Sequence, residues 1–385
     1  TVSGPVSGNR HVVGSVDLGA AEPVDIALDG TPIWVVGVAE ADVPTFVVAL
    51  EGGTLEVWRL AGGDAARTVL DATASSEDEP PLVVNTEAGV TVVDVPDDAS
   101  DITYPAVVGD RLLYITASGG LVIANADRAV ELEINALPDT RISVSSDGLI
   151  SVLAGPTDRY RHGVLGDDIE AGNLLIIDPA REEVIGAAVI DEPSVIEGIA
   201  APWVDVDGDG TEELLVTISN ADVGARLAVF DRSGILLADG PPIGRGNRWR
   251  NQLGAAPTGP SGEIEVIDVR VPHLGGVVEH FRLDGQDLTR VADRSGFTSH
   301  RLGSRTLDMA FAADVTGDGR TDVIVPTIDL DALGVITRTA SEVGAVEFHP
   351  LPGRLTTNIA VVAFGGGALT MAVGTSNGVL RIYQG

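Results

Sequence analysis

The chain has 385 residues, 57 of them acidic and 24 basic, for a formal net charge of −33 at pH 7, which makes nucleic acid and anionic membrane poor partners for the molecule as a whole. Every basic residue is arginine and there is no cysteine, so neither disulfides nor thiolate metal sites contribute. No apolar run approaches the roughly 20 residues of a membrane helix, so membrane insertion is not expected.

The first residues read TVSGPVSGNR without Met, a start that fits removal of a secretion signal and a secreted, periplasmic or cell-surface location. HVVGSV, from His11, reads as a lone strand. Units of strand, glycine turn and strand follow: FVVALEGGTLEVWRL from Phe46, LVVNTEAGVTVVDV from Leu82 and LLYITASGGLVIANA from Leu112. Longer-looped hairpins span residues 150–178, 213–231, 264–283 and 322–339, and LTMAVGTSNGVLRIY from Leu369 ends the chain. Helical periodicity is almost absent, so the chain is expected to be all-β.

Eight hairpins at about 48 residues each match the spacing of four-stranded propeller blades. The predicted fold is a single β-propeller over residues 1–385, with no linker marking a second domain. Eight blades are preferred; seven is the alternative, because residues 65–81 are too short and acidic to place two strands. The last hairpin leaves no room for a fourth strand, so HVVGSV is expected to complete that blade and close the ring, removing exposed sheet edges.

Two segments carry patterned acids. DVDGDGTEE, residues 205–213, places carboxylates at positions one, three, five and nine, with Glu212 adjoining. DVTGDGRTD, residues 314–322, keeps one, five and nine and has Thr at three. Such spacing suits a hard divalent cation, calcium foremost, which takes six to eight oxygens from a tightly turned loop. A helical EF-hand would need flanking helices and Glu at position twelve, where the first loop has Val216. Strands flank both loops, so each is expected to join the first and second strands of a blade.

On these residues the sequence resembles the FG-GAP or VCBS-repeat propellers, typified by the integrin α-subunit head, whose D-x-D-x-D-G-x-x-D loop binds calcium between the first two strands of a blade. The resemblance implies side-chain ligands Asp205, Asp207, Asp209 and Glu213 with the Thr211 carbonyl, and a second site of Asp314, Thr316, Asp318 and Asp322 with the Arg320 carbonyl. Glu replaces Asp at the last position of the first loop.

Loops joining strands two and three, and those joining successive blades, share the opposite face. There the sequence collects Arg159, Tyr160, Arg161, His162, Arg245, Arg248, Trp249, Arg250, His273, His300, Arg301 and Arg305, all in loops expected over blades four to seven. Arginine suits bidentate capture of carboxylate or sulfate, and Trp249 or Tyr160 would stack on a sugar or anchor a protein. Equally, Asp167, Asp168, Asp329 and Asp331 would pair with these arginines and brace the loops. Zinc is not expected, for there is no HExxH and no close His pair in sequence; His11 and His349 read as incidental. FGGG, residues 364–367, reads as a tight turn rather than a phosphate cradle.

The leading expectation is an extracytoplasmic calcium-binding module that recognises a protein or an anionic glycan. A lyase acting on acidic polysaccharides and a structural subunit of a surface assembly are the alternatives.

Overall fold

The computed structural model describes residues 2–3, 9–40, 42–62, 64–73, 80–86, 89–163, 165–340 and 343–385, and every regular element in it is a strand. Blade 1 is the antiparallel sheet Pro32–Glu40, Val43–Leu50, Thr54–Ala61 and Asp64–Thr73. Blade 3 (first strand Ala106–Val108), blade 4 (Ser143–Val144), blade 6 (Arg250–Ala256) and blade 7 (Phe311–Asp314) repeat that order. In blade 5 the inner strand is interrupted, as Val195–Ile196 and Trp203–Val204 both pair with Glu213–Ser219. Blade 2 is the hairpin Val83–Thr86 and Gly89–Val92, with Val2–Ser3 paired to its first strand; its turn at 87–88 lies outside the described residues.

The ring therefore has eight blades. Residues 65–81 did not need to hold two strands: Asp64–Thr73 completes blade 1, residues 74–79 lie outside the described residues, and the N-terminus supplies the extra strand of blade 2.

The ring is closed from the N-terminus, but HVVGSV is not the closing strand. Val24–Ala27 pairs antiparallel with Val379–Gln384 and completes blade 8. Its alternation suits an outer strand: Ile26 is buried, while Asp25 binds Arg381 at 2.7 and 2.6 Å. His11–Ser15 instead runs parallel to Phe311–Asp314, on the inner side of blade 7. The Arg10 guanidinium donates to the carbonyls of Ala310 (3.0 Å), Asp308 (3.3 Å) and Ile359 (2.9 Å), and Asn9 bonds Ala255. Gly14 permits this approach, because a Cβ there would lie 2.6 Å from the Gly367 carbonyl oxygen.

Propeller packing explains the continuous apolar runs of the sequence. A middle strand is covered on both faces by neighbouring blades, so it need not alternate. All seven residues of Glu213–Ser219 and of Leu369–Thr375 are buried, whereas the outer strand Glu183–Val189 is largely exposed. Separate apolar clusters fill the gaps between blades 3 and 4, 4 and 5, 5 and 6, 6 and 7, 7 and 8, 8 and 1, and 1 and 2.

Candidate functional site

The first acidic loop leaves blade 5 after Trp203–Val204 and re-enters at Glu213–Ser219. One oxygen of Asp205 accepts the Gly208 amide at 2.7 Å and the other the Gly210 amide at 3.0 Å; Asp207 accepts Asp209 N, and Asp209 accepts Thr211 N. This winding brings carboxylate oxygens of Asp205, Asp207 and Asp209 within 4.8 Å of one another. Glu213 is buried behind them and accepts the Val206 amide at 3.1 Å. Burial, reinforced by the charges of Asp207, Asp205 and Asp209, raises its pKa to about 7. Clustered hard oxygens that repel one another fit a divalent cation, which would relieve the repulsion.

The second loop has the same backbone hydrogen bonds, with Asp314 accepting from Gly317 and Gly319 at 2.8 and 2.9 Å. Its charge is handled differently. The Arg320 guanidinium binds Asp318 and holds its pKa below the usual value, while Thr316 and Thr337 hydroxyls donate to Asp322. Among the described residues, the first loop alone brings three acidic side chains so close together.

On the opposite face the predicted cluster divides. Arg250 is not a surface residue: it lies inside blade 6, paired with Asp268 at 2.8 Å and with Glu279, both buried. Tyr160, Trp249 and His300 are also buried; the Trp249 indole donates to the Glu197 carbonyl at 3.2 Å and packs edge-on against His300 with ring centroids 5.0 Å apart. These aromatics brace the loops and present no stacking platform. Arg305 binds Asp139 and Asp167, and Arg159 donates to the Ser194 and Ile190 carbonyls, which is the bracing alternative. Arg161 pairs with Asp158, and Arg245 approaches Asp222 at 3.6 Å, both exposed. His162 Nδ1 meets buried Glu197, whose other oxygen accepts the Ser219 hydroxyl, and burial raises the Glu197 pKa. Among the described residues Asp329 and Asp331 have no arginine partner through their carboxylates: Asp329 offers Arg354 its carbonyl, and Asp331 accepts the Thr327 hydroxyl.

What remains open lies further round the ring than the sequence suggested. A depression of about 430 Å³ over blades 6, 7 and 8 is lined by Pro272, His273, Thr298, His300, Arg301, Leu302, Ile328, Leu330, Arg354, Leu355, Thr356 and Ser376. On the far side of the Arg301–Leu302 ridge, a second one of about 330 Å³ reaches blade 1 through Thr31, Pro32, Ile33 and Glu51. His273 and His300, 27 positions apart in sequence, meet with ring centroids 4.4 Å apart. Burial lowers the pKa of both, that of His300 far below the ordinary value, so both are neutral at pH 7. Arg354 escaped the sequence reading because PGRLTT is a short segment with no other unusual residue; a solitary arginine in an interblade connection was the available signal.

No family model and no curated protein sequence matches the chain. Among solved structures it is similar to BamB from Moraxella catarrhalis, a β-propeller, at 13% identity over 95% of this chain and 100% of that one, with a TM-score of 0.51. The fold is a β-propeller. BBS1N, solved in complex with ARL6DN, aligns over 98% of this chain and 97% of that one at 14% identity, with a TM-score of 0.47.

Proposed function

We propose that the protein is an extracytoplasmic, calcium-stiffened propeller of the FG-GAP/VCBS type that binds a protein partner through the loop face opposite its calcium loops. The observation that carries the reading is charge distribution. Every arginine except Arg10, Arg248, Arg294, Arg301 and Arg354 has a described carboxylate within ion-pair reach. Two of those five, Arg301 and Arg354, line one depression that contains no acidic residue, in a chain with 57 acids. Surface cations left unneutralised in so acidic a molecule are suited to a partner's anionic groups.

Calcium would be held by Asp205, Asp207, Asp209 and Glu213 with the Thr211 carbonyl. The second loop, Asp314, Thr316, Asp318 and Asp322 with the Arg320 carbonyl, would bind more weakly because the Arg320 side chain already neutralises Asp318. The ion's role there is to fix the turn between the first two strands of blades 5 and 7. Two measurements test the proposal. Titrating calcium into chelator-treated protein should give saturable heat and a higher melting temperature, roughly 2.7 kcal/mol of stabilisation at a hundredfold excess over Kd, and Asp209→Ala should lose most of it. Immobilised protein should capture a partner from an envelope extract that an Arg248→Glu, Arg301→Glu variant fails to capture. A melt indifferent to calcium refutes the first part, and capture by both proteins alike refutes the second.

A further inference from the structure

We infer that the depression over blades 6 to 8, with its extension toward blade 1, is a peptide-binding groove that takes an extended segment alternating carboxylate and aliphatic side chains. This rests on the loop-face reading above and names the chemistry of its partner.

The cationic half of the argument is Arg301 and Arg354. Both are exposed and line the larger depression, neither is paired with a described carboxylate, and no acid lines that cavity. Arg354 is held ready: its amide donates to the Ser376 hydroxyl at 3.1 Å, its carbonyl accepts the Ser376 amide at 2.8 Å, and its Nε donates to the Asp329 carbonyl at 3.0 Å. Among the described residues nothing bonds its two terminal guanidinium nitrogens, which are left for a ligand in the geometry that grips a carboxylate.

The aliphatic half is the rest of the wall. Leu302 is 70% exposed, a large apolar side chain standing on the ridge shared by both depressions, and Pro272, Ile328, Leu330 and Leu355 line the cavity beside it. The floor is rigid. Leu355 donates its amide to the Leu330 carbonyl at 2.7 Å, and Leu330 is held at φ +60°, a conformation an aliphatic residue adopts only under constraint from its surroundings. Buried His300 has its Nδ1 2.9 Å from the Ser299 hydroxyl, while its Nε2 and that of His273 have no partner.

Shape and composition select the class of ligand. Two adjoining depressions that share Arg301, Leu302 and Thr356 suit a chain advancing about 3.3 Å per residue, with successive side chains on either side, better than a single small anion. Neither depression is lined by Phe, Tyr or Trp, so a sugar ring would find no stacking surface; a polyuronate satisfies the arginines but leaves Leu302 and its neighbours unmatched.

The test uses the full chain, loaded with calcium, and fluorescence anisotropy with a fluorescein-labelled peptide of alternating Leu and Glu. Saturable binding is expected, weakened at least tenfold when Gln replaces Glu in the peptide and at least tenfold in an Arg301→Ala, Arg354→Ala protein whose urea midpoint is unchanged. Arg294→Ala, on the outer strand of blade 6 and away from the groove, should bind within twofold of wild type. Equal affinity for the Gln peptide, or undiminished binding by the double variant, overturns the groove. Binding lost in Arg248→Ala but retained in the double variant also overturns it while leaving the loop-face reading standing. Binding of polygalacturonate in place of the peptide, lost in the double variant, overturns the peptide class and keeps the face.

Discussion

Glu265 is the most consequential carboxylate that sequence reading passed over. It lies in the second strand of blade 6, fully buried, and accepts hydrogen bonds from Arg338 Nε and Nη2 at 3.0 and 3.2 Å, Arg282 Nη2 at 3.0 Å and Thr258 Oγ1 at 3.0 Å, with His280 Nδ1 at 3.1 Å. Arg338 belongs to blade 7, so the pair clasps adjacent blades. Burial acts to raise the Glu265 pKa, but hydrogen bonds from His280 and Arg338 prevail and bring it down to about 2. Because the folded value lies below the unfolded one, the contribution is fully present above about pH 4.5 and is lost as pH falls toward 2. A fall from 4.5 to about 2, at about 1.4 kcal/mol per tenfold change in acidity, corresponds to about 3–4 kcal/mol, which agrees with the roughly 3–5 kcal/mol expected when one member of a buried ion pair is removed. Glu265→Gln keeps the shape and removes the charge. Urea unfolding followed by tryptophan fluorescence should show it less stable by about 3 kcal/mol at neutral pH, with the difference shrinking between pH 4.5 and 2 as the wild-type carboxylate protonates. Adding Arg338→Met should recover much of the loss, since the stranded cation is gone. A loss under about 1 kcal/mol, or one that is the same at every pH, would refute the reasoning.

The two neighbouring arginines Arg248 and Arg250 should behave oppositely: Arg250→Ala strands buried Asp268, while Glu279 keeps Arg270 and Arg290, and should cost about 3–5 kcal/mol, whereas exposed Arg248→Ala should shift the urea midpoint by less than the scatter of replicate melts. Deleting residues 1–27 removes the closing strand of blade 8 and bares Val379–Gln384 as an edge, so light scattering should reveal aggregation; a monodisperse truncated chain would mean another segment closes the ring. Chelation should lower the melting temperature of wild type while leaving Asp209→Ala nearly unmoved, as calorimetry would register.

Short-range order along the chain carried the architecture. Each hairpin announces itself within about fifteen to thirty residues, because period, turn and apolar run are all local, and eight such units predict eight blades. The DVDGDGTEE loop is legible for the same reason: carboxylates two residues apart in a glycine-kinked turn converge without help from the rest of the fold, as Asp205, Asp207 and Asp209 do. Long-range packing decided the remainder. Nothing local separates HVVGSV from VDIA as the closing strand; the choice turned on which of them meets Val379–Gln384 once the ring is formed. Arg248 and Arg250 are alike in sequence, yet one side chain faces solvent and the other is swallowed by the acids of the next two strands. Arg301 and Arg354 lie 53 positions apart and line one cavity only because loops of adjacent blades are stacked side by side, a proximity imposed by the closed ring and written in no single stretch of the chain.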